Sequence, residues 1–93
     1  MIRSFADKRT AALFAGQYGK GLSPALAERT AAKLRQINAA ASLSFLRVPP
    51  GNRLEALRGN RAGQYSVRVN DQWRICFVWR EGNAYEVEFC DYH

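Results

Sequence analysis

The chain is poor in metal ligands. It has one histidine, His93, and two cysteines, Cys76 and Cys90. No Cys/His cluster has metal-ligand spacing, which argues against a zinc site. No apolar run approaches the roughly 20 residues that span a bilayer. The segment "MIRSFADKRT" lacks the apolar core of a secretion signal. These absences predict a cytoplasmic protein that uses no membrane, with both cysteines reduced in the core. Repeats, linkers and low-complexity stretches are missing too, and 93 residues suit one domain, expected to cover 1–93.

Lysine is scarce as well. There are three lysines, Lys8, Lys20 and Lys33, against eleven arginines. Acidic residues number 8 against 14 cations, so the net charge is +6. Arginine presents a planar fork of donors that matches phosphate two bonds at a time. A small basic domain built on arginine points to an anionic partner, either nucleic acid or an acidic protein.

Hydrophobic periodicity divides the chain into two halves. "MIRSF" predicts a short strand. Asp7 suits a helix N-cap before a short helix near Lys8–Gly16, and the glycines of "GQYGKG" end it. Ser23 and Pro24 start a longer amphipathic helix to about Ala40 on Leu26, Thr30, Leu34 and Ile37. "SLSFLRVPPGNR" is a connection with a helical turn at Leu43–Leu46. The period then becomes two. "RLEAL", "QYSVRVN", "WRICFVWR" and "AYEVEF" read as strands separated by turn sequences. Tyr65, Val67 and Val69 share one face; Tyr85, Val87 and Phe89 are expected to point inward. "WRICFVWR", apolar on both faces, is the central strand. The fold class is α+β, in the order β-α-α-β-β-β-β, with two helices packed on one face of a small antiparallel sheet.

Hairpin pairing places the charged residues. Partners across an antiparallel hairpin keep a nearly constant index sum. A turn near Gly82 gives a sum of about 164 to 165, so Arg74 faces Cys90 or Asp91. A turn near Asp71 gives about 142, so Arg68 faces Arg74. Arg68, Arg74 and the terminal "DYH" then gather at one end of three strands. Two facing arginines call for an anion, either Asp91 or a phosphate. Beside it stand Tyr92, able to stack on a base, and His93, whose ordinary pKa near ~6.5 suits proton transfer at neutral pH. Guanidinium charge beside an acid–base group is what metal-free RNA cleavage needs. By the same sums Cys76 faces a residue near Glu88, which keeps it apart from Cys90, and no disulfide is expected.

The segment "PPGNRLEALRGNRAGQYSVRVNDQWRICFVWREGNAYEVEFCDYH", with "MIRSFADKRT", resembles the HigB branch of the RelE/ParE toxin superfamily. The most specific pieces are "LEALRGNRAGQYSVRVNDQWRICF" and the terminal "DYH". The resemblance implies a small α+β toxin of a type II toxin–antitoxin system. It implies a ribosome-dependent, metal-independent mRNA endoribonuclease without cofactors. It also implies a HigA-like helix-turn-helix antitoxin as partner, besides the ribosome and mRNA.

Carried over by motif, the catalytic residues are Asp91, Tyr92, His93, Arg74 and Arg58. Relatives often have lysine at the position of Arg58, and arginine sheds its proton too reluctantly to serve as a base. Some relatives have histidine where this chain has Glu55, which leaves His93 as the only imidazole. Arg61 and Arg68 are expected phosphate or ribosomal-RNA contacts, with Arg53, Arg29, Lys33 and Arg35 behind them. The competing class is a ParE-like toxin that inhibits DNA gyrase without cutting RNA; such members generally lack the "DYH" ending. A third role, docking an acidic antitoxin on the basic surface, coexists with the first.

Overall fold

The computed structural model describes residues 1–18 and 21–91. Helix α1 spans Lys8–Phe14, and the Asp7 carboxylate accepts from the Thr10 amide at 2.7 Å. Helix α2 spans Pro24–Ala39, capped by Ser23 Oγ on the Leu26 amide at 3.1 Å. Both caps satisfy amide donors that a helix start otherwise leaves unpaired. The connection contains a 3-10 turn at Leu43–Arg47, followed by another at Pro50–Asn52.

Four strands follow: β1 (Glu55–Ala56), β2 (Gln64–Arg68), β3 (Trp73–Arg80) and β4 (Asn83–Asp91). They form an antiparallel sheet in the order β1-β2-β3-β4. The expected N-terminal strand is present as two parallel bridges to β4, Ile2 with Ala84 and Phe5 with Val87. The β3–β4 loop has positive φ at both Glu81 and Gly82, the backbone of a tight hairpin turn whose twist matches the strands.

Pleating sorts the side chains. The inner face carries Val67, Ile75, Phe77, Val87 and Phe89, all essentially inaccessible, against Leu13, Leu34 and Ile37 of the helices. Trp73 stacks on Phe89 with ring centroids 4.4 Å apart, and Arg9 lies over both rings. Helix α1 is stitched to β4 by Thr10 Oγ1, which accepts from the Phe89 amide, and by Arg9, which donates to the Phe89 carbonyl.

Two expectations are corrected. Tyr85 does not point inward. Pairing shifts between Cys76 and Val78, and Glu86 takes a left-handed backbone with φ of 53°, a bulge that inserts one residue. Ala84 is therefore the inward residue, while Tyr85 turns outward beneath the Arg80 guanidinium at 4.3 Å. The cysteines are also not kept apart. Cys76 does pair with Glu88, but Cys90 is its diagonal neighbour, and the two sulfurs lie 3.4 Å apart. Both thiols are free.

Candidate active site on the outer sheet face

The register brings Arg68, Arg74 and Asp91 to one end of the sheet. Arg68 pairs with Arg74, Arg74 with Cys90, and Trp73 with Asp91. Strand alternation puts Arg68, Arg74, Cys76, Cys90 and Ser66 on the face turned away from the helices.

Arg74 is the anchor of this face. It is 9 % exposed. Its Nε donates to Ser66 Oγ at 2.7 Å, and its Nη2 donates to the Arg53 carbonyl at 2.7 Å. A buried guanidinium is costly unless its donors are satisfied, and these bonds fix the plane of the fork. Arg53 adopts a left-handed backbone with φ of 43°, uncommon for a residue with a Cβ, and this conformation accompanies the carbonyl held by Arg74. Arg68 pairs with Asp71, while Arg74 is held by oxygens of Ser66 and Arg53. Asp91 Oδ2 accepts from Gln72 Nε2 at 3.1 Å.

A cleft of about 480 Å³ is lined by Glu55, Ala56, Leu57 and Arg58. Glu55 is in register with Ser66, the residue that holds Arg74. Arg58 is exposed at the end of this wall, before the 3-10 turn Gly59–Arg61. Arg61 donates to Glu88 Oε1 at 3.2 Å and to Gln64 Oε1 at 3.0 Å; the bond to Glu88 raises its pKa. Leu57, Cys76 and Cys90 form a small buried cluster, and Leu57 also lines this cleft. Cys90 donates its S–H to Cys76. That bond lowers the pKa of Cys76, and it raises that of Cys90 together with burial.

The remaining candidates divide. Lys33 reaches from α2 to Asn52 Oδ1, and partial burial, then Arg29 and Arg68, lower its pKa. Asn52 is buried and also donates to Gln36 and to the Leu46 carbonyl, so Lys33 braces the segment leading to Arg53. Arg35 is exposed on α2, two positions from Lys33 and on a different flank of the helix. Tyr92 and His93 lie outside the described residues. Sequence reasoning missed Ser66 as the partner of Arg74; its alternation with Val67 carried that signal.

A family model described as the RelE-like toxin of type II toxin-antitoxin system HigB matches residues 3–93. Toxin HigB-1 of Vibrio cholerae serotype O1 is 52% identical over 52 residues, covering 56% of this chain and 55% of that protein. That match thus spans about half the length of the relative. Endoribonuclease HigB of Proteus vulgaris is 33% identical across 100% of both chains. Among solved structures, the YoeB-YefM complex from Staphylococcus aureus contains a chain with a TM-score of 0.63 and 15% identity, over 100% of this chain and 98% of that one. At that identity the likeness speaks for the fold.

Proposed function

The chain belongs to the HigB family of RelE-like toxins of type II toxin–antitoxin systems, and from that premise we propose that it is an endoribonuclease that cuts mRNA on the ribosome. The reading is carried by the family match, which runs from residue 3 through the arginine cluster to residue 93. It is supported by a relative, matched over the whole of both chains, that is named for endoribonuclease activity.

In this mechanism Arg74 and Arg58 hold the scissile phosphate and offset the charge that builds on it. The rigid bonds from Arg74 to Ser66 and Arg53 mean that little reorganisation is needed as that charge develops. His93 moves the proton, from the 2′-hydroxyl or to the leaving 5′-oxygen. Tyr92 stacks on the nucleotide, and Asp91 orients Arg74 or His93. No step calls for a metal. Arg53, Arg61, Arg68, Lys33 and Arg35 supply weaker contacts to message and ribosomal RNA. The protein works in the cytoplasm, and a HigA-like helix-turn-helix antitoxin restrains it.

The test is cleavage of a short message programmed on purified ribosomes. Arg74→Ala and His93→Ala are each expected to slow cutting about 10²-fold or more, the usual loss when a transition-state donor is removed. Wild-type rates in both variants would overturn the catalytic roles of these two residues. Equal cutting of free RNA would overturn the dependence on ribosomes. Inhibition of gyrase supercoiling without any RNA cleavage would move the chain to the ParE-like class.

A further inference from the structure

Phosphate binding and proton transfer leave the two thiols unused, although they touch. We infer that Cys76 and Cys90 are a redox modification site, closing to a reversible disulfide when a peroxide enters the adjoining cleft and thereby shutting the site. The control of activity rests on the nuclease reading; the formation of the bond does not.

Four observations converge. The sulfurs are 3.4 Å apart with no residue between them. They sit on adjacent strands of one face, and the backbone partner of Cys90 is Arg74 itself. Leu57, which packs on them, is also a wall of the cleft beside Arg58, so a molecule of peroxide size needs only a small movement of that side chain to arrive. Leu57 directly follows β1, a two-residue strand at the sheet edge, where local opening is easiest. The protonation pattern suits the chemistry, because Cys76 is held toward thiolate by the proton from Cys90 and by the nearby Arg61 and Arg74.

The step balances. The Cys76 sulfur attacks one peroxide oxygen and the O–O bond breaks. Hydroxide leaves, takes a proton and becomes water, and the sulfur becomes a sulfenic acid. The Cys90 sulfur then attacks Cys76 as its own proton is given up. The S–O bond breaks, a second water leaves and the S–S bond forms. Two thiols are oxidised by two electrons and one peroxide is reduced. A dithiol reverses the change.

The bond needs sulfurs about 2.05 Å apart, and diagonal neighbours, roughly 7–8 Å apart, stand beyond the usual Cα spacing of a disulfide. Closing it therefore pulls β4 toward β3 beside Arg74, and Asp91 is the next residue along. A strained bond of this kind is readily reduced.

The experiment treats the whole protein with hydrogen peroxide and counts thiols after denaturation. Two thiols should fall to none, with the peptides holding Cys76 and Cys90 joined within one chain, and dithiothreitol should restore both. Ribosome-programmed cleavage should fall about tenfold or more with the thiols and return with them. Cys90→Ser should keep the basal rate and lose the reversible inhibition; Cys76→Ala serves as a second variant if the first folds poorly. Two thiols persisting in peroxide, or links between chains only, would overturn the site. A bond that forms while cleavage continues would overturn its control of activity. A bond that forms in a protein that never cuts RNA would count against the nuclease reading and leave the modification standing.

Discussion

The two faces of one sheet solve different problems with alternate residues of the same strands. On β3, Ile75 and Phe77 point to the helices and are sealed in hydrocarbon. Arg74 and Cys76, their neighbours in sequence, are also almost inaccessible, Arg74 among oxygens of Ser66 and Arg53 and Cys76 in a small cluster with Leu57 and Cys90. The inner face is buried to remove apolar area from water. The outer face is buried to hold a charge still, because Ser66 and Arg53 fix the guanidinium from two sides. Burial on the first face should be read out mainly as stability, and on the second mainly as activity.

Substitution can break or sharpen that contrast. Phe77→Ala should produce the largest loss of stability, about 3–5 kcal/mol, because it empties the centre of the inner face. Urea unfolding measures it, and a loss below about 1 kcal/mol would mean that Phe77 is not packed at the centre of the core. Ser66→Ala removes the acceptor for Arg74 Nε and should cost about 1–3 kcal/mol, since a buried charged donor loses its partner. Its diagnostic effect is on cleavage, expected to drop about tenfold through kcat with little change in KM. An unchanged kcat would mean that Ser66 supports the fold and not the site. Glu88→Gln should do least, under about 1 kcal/mol, because its bridge to Arg61 is about one-third exposed on each side. Thermal melting reads that change, and a much larger loss would mark the outer face as a stability element as well.

The same contrast explains what was legible in the sequence. Alternation and turn chemistry foretell the Arg68–Arg74 pairing and the placing of Arg74 near the end of β4, because a hairpin fixes its register arithmetically. Ser23 with Pro24 and Asp7 announce the two helices, since caps are local chemistry. Three features escape such rules. The Glu86 bulge that turns Tyr85 outward has no glycine to mark it; Ser4 secures it instead, its Oγ accepting from the Glu86 amide 82 positions away. The Cys76–Cys90 contact is diagonal, whereas an index sum counts direct partners. The carbonyl under Arg74 comes from a left-handed arginine, a conformation imposed by tertiary contacts.

The bridges between residues 2–5 and β4 carry a consequence for timing. The Met1, Ser4, Ala84 and Val87 carbonyls all take part in this ladder, so the two segments must meet across nearly the whole chain. Searches over such separations are the slow part of folding. The β3–β4 hairpin is local and is expected to form first, with the strand leading to Asp91 clamped only afterwards. In a refolding experiment, strand signal should precede the onset of cleavage, leaving an interval in which a newly made toxin is harmless and its antidote can reach it.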